Sequence, residues 1–167
     1  SANALPDVAL ESSADHAGAL DAVGMQQVQM PVLVLGSDGA AQRVAARVDA
    51  WADLARGDER GIHMSRLYLQ LDRHLSAEPV SPASLRRLLR DFLASHAELS
   101  SRARVRLDFE YLVRRAALAS AHTGWRAYPL QLDARLERER FALELGFEVQ
   151  YSSTCPASAA LARQLIQ

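Results

Sequence analysis

RARVRLDFEYLV, at residues 102–113, alternates between charged and apolar side chains from Arg102 to Tyr111. Successive side chains of a β-strand point to opposite faces of the sheet, so this alternation predicts a strand with one buried and one solvated face. After a break and a turn expected at Thr123-Gly124, the alternation returns in residues 125–136 and 141–151, on either side of a charged turn, Glu-Arg-Glu-Arg. Strands joined by short turns pair antiparallel, so these segments predict an antiparallel sheet.

Two more strands are predicted in the first third of the chain. Residues 24–35 are rich in Val, Met and Gln, and Pro31 indicates an edge strand or a bulge because proline cannot donate to a strand ladder. Residues 36–39 are typical of a turn. In residues 40–54 apolar side chains recur mostly at every second position, which predicts a second strand. A helix over this alanine-rich segment remains an alternative interpretation.

Leucines with helical spacing separate the two groups of strands. They recur every four residues from Leu67 to Leu75, which places them on one face of a helix. Ser81 is suited to cap a second helix, and Pro82 to occupy its first position, where no N–H is needed. This second helix is amphipathic and is expected to end near Ala97. Two helices covering the apolar face of an antiparallel sheet define an α+β fold.

The composition limits the class of protein and its partners. A length of 167 residues suits one folded module, which we place at residues 23–167 behind a flexible leader at residues 1–22. The net charge of -1 predicts no bulk attraction to nucleic acid or to an anionic membrane, and no apolar run reaches the roughly 20 residues of a membrane span. A single cysteine excludes an internal disulfide and fits a cytoplasmic protein.

YSSTCPAS, at residues 151–158, contains that cysteine and precedes an Ala/Leu-rich helical pattern. Pro156 fits the first helical position, and Ser153 or Thr154 can cap the helix start. The N–H groups and dipole of a helix start would stabilise a thiolate at Cys155 and lower its pKa, which suits metal binding or nucleophilic attack. The alternative is that Cys155 is a small buried apolar residue.

Other catalytic signatures are absent from the sequence. The five histidines show no structural-zinc spacing, and there is no Cys-x-x-Cys, Gly-x-Ser-x-Gly or glycine-rich phosphate loop. All 19 basic residues are arginine, which excludes chemistry that needs a lysine. The residues alone therefore support a metal site only weakly.

Two motifs resemble those of a known family, the GTP cyclohydrolase IB family. GIHMSR at residues 61–66 resembles its Gly-x-His-Met-Ser-Arg motif, and residues 151–158 resemble the segment where that family usually has Ser-x-Cys-Pro-Cys-Ser. Residues 109–120 are similar to a family segment between the two. The resemblance covers about residues 24–167 and implies a tunnelling fold (T-fold), which is an antiparallel sheet with two helices packed on one face.

The resemblance also implies an activity. Family members hydrolyse GTP to formate and 7,8-dihydroneopterin triphosphate, the first step towards tetrahydrofolate and related pterins. They depend on a divalent metal, with zinc, manganese or iron as candidates, and assemble as homotetramers. Cys155 matches the motif cysteine thought to serve the metal and catalysis. His63, Ser65 and Arg66 match the other motif and are expected to bind substrate, although a structural salt bridge is an alternative role for the arginine.

Two departures from the family pattern limit these expectations. Ala157 stands where the family usually has a second cysteine, so any role that needs two thiols is lost. Family members also run on for about another domain that carries further His and Glu ligands, so we expect this chain to be the first half of a longer enzyme and inactive by itself. Two other interpretations stay open: a non-catalytic tunnelling-fold relative used for assembly or purine/pterin binding, and an interaction module in which Cys155 only packs.

Overall fold

A computed structural model describes residues 20–54, 63–95, 100–117, 121–153 and 155–166. In these residues five strands and three helices follow one another as two strands, two helices, three strands and a helix. The elements are β1 (Leu20–Leu35), β2 (Ala41–Leu54), α1 (Met64–Ala77), α2 (Pro82–Ser95), β3 (Arg102–Ala116), β4 (Thr123–Glu137), β5 (Arg140–Phe147) and α3 (Pro156–Ile166). The helical alternative for residues 40–54 is wrong, because that segment forms β2.

The strands form one antiparallel sheet in the order β1-β2-β3-β4-β5, so each strand pairs with the next one along the chain. Strands β1 and β5 are its edges. The two helices α1 and α2 pack against β1, β3 and β4 and share one hydrophobic core with them. The predicted α+β class is therefore confirmed, and the architecture is the one that a tunnelling fold requires.

Strand β1 contains a bulge, but not at the proline. Pro31 pairs in register with Ala45, whereas the register shifts between Met25 and Val28. Within the shift Gln27 has a positive φ of 58°, and its N–H donates to Asp49 Oδ1 at 2.6 Å. Pro31 is tolerated because β1 is an edge strand, which was one of the two predicted explanations.

The core consists of every second side chain of the strands and of one apolar face of each of the helices α1 and α2. Leu67, Leu71 and Leu75 of α1 are buried, as their four-residue spacing predicts. Helix α2 contributes further fully buried side chains, among them Leu88 and Phe92. Burial of a side chain of this size contributes about 1.5–3 kcal/mol relative to exposure, so the two stripes hold both helices on the same face of the sheet.

The start of α2 is capped as the sequence predicts. The N–H of Ser84 donates to Ser81 Oγ at 3.1 Å, and the N–H of Ser81 donates to Ser84 Oγ at 2.8 Å. This reciprocal arrangement satisfies two backbone donors, and Pro82 between them needs no partner for its nitrogen.

The β4–β5 turn lies where the charged residues predict it. Arg138 and Glu139 have positive φ angles of 44° and 69°, which is the conformation of a two-residue hairpin turn that matches the strand twist. Glu139 accepts a bond from Arg90 of α2 at 2.6 Å, so the turn is also tied to the helical layer.

The face of the sheet opposite the helices is polar. Asp133 is only 5% exposed, yet it lies on this face and accepts bonds from Arg104 and Arg135. Burial alone would raise the pKa of Asp133, but the two guanidinium groups outweigh burial and hold the pKa below its ordinary value. Arg104 also stacks over the Trp51 ring, 5.2 Å from its centroid. The charges on this face are therefore largely paired within the sheet.

Three strand boundaries differ from the sequence predictions. Strand β3 continues to Ala116 and strand β4 begins at Thr123. Thr123 and Gly124 are therefore strand residues and not a turn. Beyond Phe109 most side chains on both faces of the hairpin are exposed. The two strands therefore stay paired there although apolar and polar residues no longer alternate along them. Strand β5 ends at Phe147, four residues before the alternation ends, because the next partner on β4 is Pro129, which has no N–H.

Strand β1 begins at Leu20, inside the segment that was predicted to be a flexible leader. The rest of that leader, residues 1–19, lies outside the described residues, as do Gly61 and Ile62 of the GIHMSR motif.

Candidate functional site

Cys155 lies at the start of α3. Pro156 is the first residue of this helix, and the N–H of Ala159 donates to the carbonyl of Cys155 at 3.0 Å. Cys155 itself therefore occupies the N-cap position that was predicted for Ser153 or Thr154, the latter lying outside the described residues. The Cys155 side chain is exposed to solvent, so the alternative of a buried packing residue is wrong.

The helix start lowers the pKa of the Cys155 thiol from its ordinary value of 9.0. The main cause is a bond from the backbone N–H of Ser158, with smaller contributions from the N–H of Ala157 and the hydroxyl of Ser158. These N–H groups have no partner inside the helix and are available to an anion at its start. The environment therefore favours a thiolate, which is the form that attacks electrophiles and binds metals.

The second motif also forms a helix start. His63 is the N-cap of α1, and its carbonyl accepts bonds from the N–H groups of Arg66 and Leu67 at 3.0 and 3.2 Å. The His63 ring is half-buried and does not cap the helix, while Ser65 and Arg66 are exposed in the first turn. The motif therefore presents one hydroxyl and one guanidinium at the surface.

The structure of this chain does not bring the two motifs together. Helix α1 packs against β1 and α2, whereas α3 forms no extensive packing contact with any described element. The apolar side chains of α3 reflect this, since Leu161 and Leu165 are 60% and 80% exposed. A site that contains both His63 and Cys155 therefore stays a prediction.

The described residues do not form a metal site by themselves. No three His, Cys, Asp or Glu side chains within them converge on one point. Cys155 offers one thiolate, whereas a catalytic zinc takes about three protein ligands. Ala157 is exposed near Cys155 and adds no second thiol.

A cavity that no sequence motif predicted lies on the polar face of the sheet. This polar trough has a volume of about 990 Å³ and is lined from all five strands, with Arg43, Arg47, Glu110 and Glu148 among its side chains. In the sequence these residues are separate solvated positions, and only the strand register brings them to one place. The available signal was the alternation along each strand, which places these side chains on its polar side.

Within the described part of the chain, none of the helices combines the length and apolar character that crossing a membrane demands.

The fold and the cysteine motif define a class of protein: an α+β module with two helices on one face of an antiparallel sheet and an activated thiol at the start of a third helix. The chain belongs to the GTP cyclohydrolase family, since residues 5–167 match the family described as type I GTP cyclohydrolase folE2. The resemblance noted from the two motifs is thereby confirmed.

Two relatives show how far the similarity extends. The chain is 50% identical over 163 residues to GTP cyclohydrolase FolE2 of Pseudomonas putida (strain GB-1), covering 98% of this chain and 52% of the relative. It is 47% identical over 166 residues to GTP cyclohydrolase FolE2 2 of Burkholderia orbicola (strain MC0-3), with the same 98% and 52% coverage. The chain thus spans about half the length of the curated relatives it matches.

Proposed function

We propose that the protein containing this chain is a GTP cyclohydrolase, which hydrolyses GTP to formate and 7,8-dihydroneopterin triphosphate at the first step of tetrahydrofolate and related pterin synthesis. Family membership supports the reaction class. The observation that carries the proposal is the Cys155 sulfur, which is exposed and receives N–H groups that lower its pKa. That environment favours the thiolate over the thiol.

In this proposal Cys155 is both a catalytic residue and a ligand of a divalent metal, for which zinc, manganese and iron are the candidates. The metal would supply a Lewis acid and activate water. Since the described residues provide one such ligand, the remaining ligands come from residues outside the described ranges or from another subunit. A homotetramer in the cytoplasm is the proposed setting.

His63, Ser65 and Arg66 are the proposed substrate-binding residues. The exposed guanidinium of Arg66 suits bidentate contact with a triphosphate, which a lysine ammonium cannot reproduce. Arg66→Lys should therefore raise the KM for GTP more than it lowers kcat. Arg73→Lys, an exposed arginine on the same helix, is the matched control and should leave both constants unchanged. Equal KM values for the two variants would remove Arg66 from the site.

The decisive experiment measures formate release from GTP by the protein expressed from its complete reading frame. Cys155→Ala should abolish release and lower the bound metal measured by elemental analysis, without changing the unfolding temperature, because the side chain is exposed. Ser153→Ala, an exposed change in the same segment, should keep both activity and metal. Full activity of Cys155→Ala would contradict the proposal.

The second candidate function is a non-catalytic relative that binds a purine or pterin. Ala157 favours it, because this chain lacks the second thiol that the family motif usually contains. Such a protein would bind GTP but release no formate, even when loaded with zinc, manganese or iron. The 167-residue chain by itself is expected to be inactive in either case, and formate release by it alone would show that its ligand set is complete.

A further inference from the structure

The face of the sheet that carries the helices has an apolar part that they do not cover. Strand β5 alternates so that Phe141, Leu143, Leu145 and Phe147 lie on the core side of the sheet. Phe141 and Leu143 pack partly against the core, whereas Leu145 and Phe147 are 60% and 65% exposed. Within the described residues, α1 and α2 make no extensive contact with β5. The β5 apolar surface, formed by Leu145 and Phe147, therefore continues the core without a covering layer.

Helix α3 has the complementary feature. Leu161 and Leu165 are four residues apart and share one side of the helix, and both are exposed. Arg163 lies two residues from each of them and consequently on the other side of the helix. Leu67 and Leu71 of α1 have the same four-residue spacing and are buried in the core. Helix α3 thus presents the kind of leucine stripe with which this chain covers its own sheet.

The structure keeps these two surfaces apart within one chain. Glu148 still lies beside β4, because its N–H donates to the carbonyl of Pro129 at 3.1 Å. Residues 149–155 then connect the sheet to α3 and span roughly 25 Å when extended. The helix makes no extensive packing contact with any described element. The connection is therefore long enough for α3 to reach a neighbouring molecule.

The apolar area favours a reciprocal contact between two copies over a single contact. Six exposed apolar side chains belong to α3 or to β5 and the residues after it, namely Leu145, Phe147, Val149, Tyr151, Leu161 and Leu165. Burial of each removes on the order of 100 Å² from water, so one contact buries roughly 600 Å² and two bury roughly 1,200 Å². A specific interface buries about 1,200 Å² or more, which only the reciprocal contact reaches.

We propose that α3 of one copy of this chain packs on the β5 apolar surface of a second copy, while α3 of the second copy packs on the first. Each chain offers both complementary surfaces, so a two-fold axis forms both contacts at once. In this pair Leu161 and Leu165 cover the part of the sheet that α1 and α2 leave open. The second copy thereby completes the helical layer of the first.

This pairing goes beyond the proposed reaction and is measured without it. Cys155 is the N-cap of α3, so the same contact also holds that thiol beside the second copy. The contact itself is apolar, and its test needs neither GTP nor a metal. Absence of formate release would leave the pairing measurable, and absence of the pairing would leave formate release measurable.

The test is sedimentation velocity of the complete protein over a range of concentrations. Leu161→Glu combined with Leu165→Glu, and separately Phe147→Glu, should halve the sedimenting mass or raise the dissociation constant of the pair at least tenfold. The physical reason is that a carboxylate loses its water at an apolar contact. Leu69→Glu is the matched control, because Leu69 of α1 is also 65% exposed but belongs to neither surface. Its mass should be unchanged.

Mixing the two kinds of variant distinguishes a contact between copies from a contact within one chain. The helix variant keeps an intact β5 apolar surface, and Phe147→Glu keeps an intact helix, so a mixed pair retains one of its two contacts. The mixture should therefore associate more tightly than either variant alone. Circular dichroism confirms that each variant folds. Unchanged mass in the helix variant would overturn the proposal, as would a mixture that associates no better than its components.

A pair of cysteines tests the same contact without adding charge. In the complete protein carrying Cys155→Ala, Leu145→Cys together with Leu165→Cys should let a short bismaleimide join two chains, which gives a doubled mass on a denaturing gel. Neither single substitution should give the same yield of joined chains. A double variant that forms no joined chains, or joins its cysteines only within one chain, would overturn the proposal.

Discussion

Asp53 is the residue whose replacement tests the fold most sharply. Its side chain is 4% exposed at the end of β2 and joins this strand to the start of β3. One carboxylate oxygen accepts the backbone N–H groups of Ser101 and Arg102, both at 2.7 Å, and the other accepts the Ser101 hydroxyl at 2.7 Å. Asp53→Ala removes both acceptor oxygens and all three hydrogen bonds at once.

The expected cost follows from those contacts. A hydrogen bond to a charged group contributes about 1.5–3 kcal/mol, but the exposed Ser101 segment can recover part of this from water. We therefore expect Asp53→Ala to lower the free energy of unfolding by about 3 kcal/mol. For a domain of this size that corresponds to a fall of about 6–12 °C in Tm. Asp53→Asn keeps one carbonyl acceptor for the N–H groups and should cost about half as much.

The pH dependence has a definite sign. Burial tends to raise the pKa of Asp53, but the bonds from Ser101 and Arg102 outweigh it and hold the pKa below its ordinary value of 3.8. A carboxyl with a depressed native pKa stabilises the fold above the unfolded pKa, and this contribution is lost as the pH falls through the native value. The stability gap between the wild type and Asp53→Asn should be full at about pH 7 and shrink below about pH 4.

Thermal unfolding followed by circular dichroism at several pH values measures both quantities. Asp72→Ala is the matched control, because Asp72 is an exposed aspartate on α1, and its substitution should change stability by no more than about 0.5 kcal/mol. The reasoning is refuted if the Ala substitutions at positions 53 and 72 have equal effects, or if the gap for Asp53→Asn widens in acid.

Two further predictions concern a close backbone contact and the reactive thiol. Gly24→Ala should destabilise the protein clearly in chemical denaturation, because its Cβ would lie 1.9 Å from the carbonyl oxygen of Ala50, whereas Gly124→Ala, with nothing within 4 Å, should be neutral. Alkylation of Cys155 by iodoacetamide should rise with pH around a midpoint below 9.0. Ser158→Ala should move that midpoint up only part of the way to 9.0, because the backbone donors remain; an unchanged midpoint would show that the hydroxyl plays no part.

Several elements could be predicted because their signals are local. Alternation in residues 102–111 identified β3, the spacing of Leu67 and Leu75 identified α1, and the Ser81-Pro82 pair identified the start of α2. The activated position of Cys155 was also predictable, since a proline next to a cysteine before a helical pattern marks a helix start. In each case neighbouring residues contain the whole of the physical cause.

The tertiary structure decided what depends on partners distant in the sequence. Pro129 ends β5 because it faces that strand and has no N–H, and Asp49 holds the bulge in β1 from the neighbouring strand. The polar trough exists because antiparallel pairing sets Arg47 beside Asp108 and Asp108 beside Gln131, although these strands are far apart in the chain. A single sequence records which face each side chain takes, but the register that sets its neighbours comes from pairing energies summed over whole strands.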